Sequence, residues 1–210
     1  MLVSELAERA DVPLATVKYY LREGLLPPGD VVGPRRAEYD ETHVRRLQIL
    51  RALREVGGAP VSALQTIVDA VDDESQPVHQ VLCQISDALS PPLPVDGPGA
   101  AAREMVDDVI ARAGWTGVRP DAEARDRLAA LIQLVSGDLL TVDEEILGYY
   151  AKLADELSRT EIAFVDTMKD RKGMLEDMVA GEAVFGEILT LLRRLGHEHH
   201  HLHPPTYPRD

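Results

Sequence analysis

The chain has 210 residues, with 22 Lys plus Arg against 36 Asp plus Glu and a formal net charge of -14. Its hydrophobic share of 45% is too high for a disordered chain, and no apolar run approaches the ~20 residues that span a bilayer. Glu5, Glu8 and Arg9 interrupt any secretory signal pattern, and a single cysteine, Cys83, excludes a disulfide framework and a multi-cysteine metal site, so a soluble cytoplasmic protein is expected.

The charge is unevenly placed. Residues 1–58 carry 9 basic and 9 acidic side chains, whereas the remaining 152 carry 13 and 27. Net negative charge repels a polyanion, yet the segment 18–54 concentrates Lys18, Arg22, Arg35, Arg36, Arg45, Arg46, Arg51 and Arg54. Two parts with separate tasks are implied.

Helix signals dominate the walk along the chain. Ser4–Ala10 reads as a short helix, broken by Asp11-Val12-Pro13 because proline donates no hydrogen bond. A second helix is predicted from Pro13 or Leu14 to Glu23, with Leu14, Val17 and Leu21 as its buried stripe and Gly24 as its stop. Two helices across so short a break form a helix-turn-helix candidate. The β-formers either side of Gly33-Pro34 predict a small hairpin ending at Tyr39. Asp40-Glu41-Thr42 can cap a helix from Glu41 to Val56 carrying Val44, Leu47, Leu50 and Leu53, and Pro60 opens another to Val71.

A short apolar helix over 77–90 precedes Pro91-Pro92-Leu93-Pro94 and Gly97-Pro98-Gly99, which read as a linker. Helices are then predicted over 101–113, 121–136, 139–171 and 174–195, punctuated by Gly114, Gly137, Gly173 and Gly196.

Ser4-Glu5-Leu6-Ala7, followed by Thr16-Val17-Lys18-Tyr19-Tyr20-Leu21-Arg22-Glu23-Gly24-Leu25-Leu26-Pro27, resembles the DNA-binding domain of MerR-type transcriptional regulators. The wing ending in Tyr39, Val44-Arg45-Arg46-Leu47 and Arg51 through Gly57 extend the likeness. The resemblance implies a mainly α fold in which a winged helix-turn-helix domain (1–72) precedes a short helix and Pro/Gly linker (73–100). An all-helical effector-binding or dimerisation bundle (101–196) and an unstructured His-rich tail (197–210) are expected to follow. It implies a homodimer on double-stranded promoter DNA, working with RNA polymerase and switching by distortion of the promoter spacer. Thr16, Lys18, Tyr19 and Arg22 are the expected DNA contacts on the recognition helix, with Tyr20 in the core. Arg35, Arg36 and Tyr39 belong to the wing and Arg45 to the next helix, where Arg46 and Arg51 are further phosphate candidates. The wing departs from the family's Gly-Tyr-Arg-x-Tyr pattern, since Arg36-Ala37-Glu38-Tyr39 lacks an arginine two before the tyrosine.

One cysteine cannot build the soft ligand set of metal-sensing relatives. His197, His199, His200, His201 and His203 read as an incidental tail, so no metal site and no cofactor is expected. A small hydrophobic or amphiphilic organic effector is expected instead, held by Trp115, Tyr149, Phe164 and Met168. The alternative is a constitutive repressor whose bundle only dimerises. Without a Gly-rich phosphate loop or a Ser/His/Asp constellation, an enzyme is not expected.

Overall fold

The structure, a computed structural model, describes residues 1–33, 36–90, 97–135, 142–165 and 170–203. Among them, nine helices accompany one two-stranded sheet, a mainly α architecture. In chain order these are α1 (Val3–Ala10), α2 (Leu14–Arg22), β1 (Asp30–Gly33), β2 (Arg36–Glu38), α3 (Glu41–Glu55) and α4 (Val61–Asp72). There follow α5 (Val78–Leu89), α6 (Ala100–Arg112), α7 (Glu123–Val135), α8 (Glu144–Val165) and α9 (Arg171–Leu202). Two compact units result: Met1–Asp73 with the chain from Leu175 onward, and Glu74–Met174.

In the first unit α1 ends at Asp11, whose φ of 52° lets its N–H and that of Val12 bond back to the carbonyls of Glu8 and Ala7. Pro13 then caps α2. Val17 and Tyr20 are the buried residues of α2, while Leu14 is exposed and Leu21 half-buried. This corrects the expected Leu14–Val17–Leu21 stripe: the spacing from 17 to 20 sets the inward face, and Leu14 occupies the first turn outside it. Gly24 has a φ of 73°, the left-handed turn that closes α2.

β1 and β2 pair antiparallel, with Asp30 opposite Glu38 and Val31 opposite Ala37. At the base of this hairpin a Cβ on Gly29 would lie 2.6 Å from the Glu38 carbonyl oxygen, so only glycine allows the chains to approach this closely. Asp40 caps α3 by accepting from the N–H groups of Thr42 (3.0 Å) and His43 (3.3 Å). Leu47, Leu50 and Leu53 of α3 and Leu64 and Ile67 of α4 are almost fully buried, each contributing about 1.5–3 kcal/mol.

The second unit buries small side chains from three helices: Ala102, Val106 and Val109 of α6, Ala129 and Ile132 of α7, and Leu147 and Ala151 of α8. Met105, Ile110, Trp115 and Val142 pack against this cluster. Ion pairs Arg103–Asp126 and Arg112–Glu144 tie α6 to α7 and α8. Residues 91–96, the proline part of the expected linker, lie outside the described residues.

The ends of α9 differ from expectation. Gly173 and Gly196 do not punctuate it, and the helix runs on through His197–His201 where an unstructured tail is expected. A glycine costs about 1 kcal/mol inside a helix, which a helix of 32 residues offsets by its remaining backbone bonds and buried face. From Leu175 on, α9 belongs with the helix-turn-helix unit rather than with a bundle spanning 101–196.

Replacing Asp40 with alanine should cost about 1 kcal/mol by removing the α3 cap. Hydrogen bonds from Thr42 first and His43 next hold the Asp40 carboxyl well below the usual carboxylate range. The unfolded chain thus takes up this proton more readily than the folded one. The contribution is complete above about pH 4 and is lost as pH falls toward the lower folded value. Thermal melts of wild type and D40A should therefore differ at pH 7 and converge in strong acid.

Candidate nucleic-acid interface

Turning opposite to Val17 and Tyr20, the outer face of α2 presents Lys18, Tyr19 and Arg22, one helical turn apart. Lys18 is exposed and Thr16 and Tyr19 are half-buried. The Arg22 guanidinium lies 5.1 Å from the Tyr19 ring centroid, and its Nε donates to Glu23 at 3.0 Å. Stacking and ion pair orient the arginine outward without burying it, leaving 70% of its side chain exposed. Tyr20 is buried 5.9 Å from the Tyr19 ring, and burial raises its phenol pKa.

The hairpin stands beside this face in sequence and carries Arg36, which is 62% exposed and donates to Glu38 at 3.0 Å. Val31 and Val32 are exposed on its outer strand. Arg35 lies outside the described residues. Tyr39 is half-buried at the hairpin base: its ring meets His43 edge-on at 5.1 Å, and its carbonyl accepts from the Met1 amino group at 2.7 Å. The structure thus gives Tyr39 an anchoring position at the base of the hairpin.

The α3 arginines are differently placed. Arg45 donates through Nε to Glu176 (2.6 Å) and through Nη2 to Asp177 (2.5 Å), both on α9. Burial opposes its charge, but these two carboxylates outweigh burial and raise its pKa above the usual value. Arg46 is buried and paired with Asp72, so its expected role as a phosphate contact is corrected. Arg51 bridges Asp11 (2.6 Å) and Glu55 (2.9 Å) and ties the α1–α2 turn to α3. Burying a guanidinium is tolerable only with a charged partner, and α3 lies between two helices that supply them. Glu176 and Asp177 were not foreseeable, since 131 and 132 residues separate them from Arg45 and no local pattern links them.

In the second unit Trp115 is half-buried and donates from Nε1 to Asp155 at 3.0 Å. That bond, with Arg159 next in effect, lowers the Asp155 carboxyl pKa. Asp155 lines a cleft of about 290 Å³ together with Val109, Arg112, Glu144, Gly148 and Lys152. Tyr149 and Phe164 are exposed, at 63% and 76%, and do not line it; Met168 lies outside the described residues. The expected effector residues are not brought together. No cluster of three or more metal-ligating side chains forms among the described residues.

A short helix pair with an outward cationic face, followed by a hairpin and a buttressing helix pair, defines a helix-turn-helix DNA-binding protein. Residues 1–71 match the family described as MerR HTH family regulatory protein. Over the whole of both chains, the protein is 32% identical to SCO5550 from Streptomyces coelicolor A3(2), a candidate transcriptional regulator of known crystal structure, with a TM-score of 0.75. No curated protein matches the chain. The chain belongs to the MerR family and is a DNA-binding transcriptional regulator. No helix among the described residues is long and apolar enough to cross a membrane.

Arg46→Ala separates packing from DNA contact. It should lower stability by about 2 kcal/mol by removing a buried donor and the packing of its stem. Affinity for DNA should stay within about twofold once the folded fraction is corrected by circular dichroism.

Proposed function

We propose that the protein binds a promoter as a homodimer through α2 and the hairpin, acts with RNA polymerase by distorting the spacer, and answers to a small organic effector. The observation that carries the DNA contact is the outward face of Lys18, Tyr19 and Arg22, its two cations exposed and Tyr19 half-buried, backed by the buried Val17 and Tyr20. A hydroxyl, a ring and two cations on one helical face suit phosphates and base edges in the major groove. Bending a site by tens of degrees costs on the order of 1–6 kcal/mol, a range that a modest change in protein conformation can supply or withhold.

Dimerisation is supported by α9. Phe185, Ile188, Leu192 and Leu195 recur at the spacing of a coiled-coil seam, and all are exposed by 44% or more. Charge along the helix inverts, from Glu182 and Glu187 to Arg193 and Arg194. Antiparallel pairing of two copies would set acidic turns against basic ones.

The effector reading is supported by the cleft beside Asp155, close to the lower end of the size range of small-molecule sites, with an apolar floor and an exposed Lys152 at its rim. The alternative, a constitutive repressor whose helical part only dimerises, is favoured by the exposure of Tyr149 and Phe164. Because Trp115 is the only tryptophan and donates to Asp155 in the cleft wall, its fluorescence reports on the cleft through that bond. A screen of amphiphilic compounds should quench or shift that emission and raise Tm; a screen without either effect favours the constitutive reading.

Lys18→Ala and Arg22→Ala should each weaken promoter binding by about 1–3 kcal/mol while the circular dichroism spectrum stays unchanged. Affinity should also fall steeply with salt, since roughly 0.9 counterions leave per phosphate neutralised. Unchanged mobility shifts for both variants would remove α2 from the interface.

The pair Leu192→Glu and Leu195→Glu, introduced together, should convert the dimer to monomer in light scattering with helicity retained. A dimer that persists would place the self-contact elsewhere.

A further inference from the structure

We propose that the C-terminal end of α9 chelates one divalent transition-metal ion, of the zinc, nickel or copper class, through His199 and His203. The inference comes from helix continuation, which turns a run of histidines into a register. Backbone bonding persists through the pair, since the His203 N–H donates to the His199 carbonyl at 3.0 Å. Residues four apart share one face, and the two imidazoles lie side by side there with centroids 5.0 Å apart and planes within 24°, a proximity from which side-chain rotation can bring one nitrogen of each ring to a shared ion. His200 packs edge-on against His199 at 5.0 Å without completing a three-ligand group.

Two further features suit a cation at this position. All these rings are exposed. The last carbonyls of a helix carry partial negative charge, which favours a cation at its end.

Two imidazoles give a two-point chelate, and water fills the remaining positions. Such a site is labile and open, unlike a closed structural zinc site. Neutral nitrogen donors select borderline metals and discriminate against magnesium and calcium, which take oxygen ligands. Bridging two successive turns, the ion stabilises the end of α9 against fraying. The site lies outside the proposed effector cleft and does not depend on the reading of that cleft.

Isothermal titration of the full-length chain with zinc or nickel at pH 7.5 should show one saturable site, with magnesium giving none. The double variant His199→Gln, His203→Gln should weaken binding by at least about tenfold. His79→Gln, in α5, should bind as wild type. Ellipticity at 222 nm should deepen on adding metal to wild type and stay constant in the double variant. An absence of saturable zinc or nickel binding, or a double variant that binds as wild type, overturns the assignment. So would a site abolished only by His197→Gln with His201→Gln.

Discussion

The helix-turn-helix unit depends on a strip of α9 seated in the groove between α3 and α4. Leu175 and Val179 are buried to 1% exposure or less, and the groove is walled by Ile49, Leu50, Leu53, Ile67, Val68 and Val71. Ala183 continues the contact to the α3–α4 turn, where a Cβ on Gly57 would come within 3.3 Å of it. Without this strip, several large apolar side chains of α3 and α4 would meet water, a loss of the order of 25 cal/mol per Å². Glu176 and Asp177 on the same turn engage Arg45, so the apolar seat and the ion pairs fix one register of α9 on α3.

That arrangement bears on how an acidic chain keeps cations for the proposed DNA-binding face. Of the cations between residues 18 and 54, Arg45, Arg46 and Arg51 are committed to carboxylates and serve cohesion. Lys18 and Arg22 remain exposed on α2, and Arg36 on the hairpin. Arg54 is exposed on α3 as well, and Arg22 and Arg36 pair only with the neighbouring Glu23 and Glu38, so these cations stay at the surface while Arg46 is taken into the interior.

Local structure was readable from sequence wherever short-range rules decide it. The Asp11–Pro13 break, the Asp40 cap, the stop at Gly24 and the Leu47–Leu50–Leu53 spine follow from capping, proline geometry and helical period. The outward set Lys18, Tyr19 and Arg22 followed from the same period, as did a buried Tyr20. What sequence did not reveal is tertiary. Arg45 and Arg46 read as surface cations because their partners on α9 and α4 are distant in sequence. The continuation of α9 through Gly196 ran against local propensity, and the clustering of aromatics on α8 did not translate into a pocket because the helix turns Tyr149 and Phe164 to solvent.

If this packing governs stability, α9 from Leu175 to Ala183 is part of the same cooperative unit as α3 and α4. Amide hydrogen exchange on the full-length chain, read by mass spectrometry, tests it most directly. Residues 175–183 should exchange together with α3 and α4, more slowly than the exposed turns beyond Gly186. Exchange of 175–183 as fast as those turns, with α3 and α4 still protected, would contradict it.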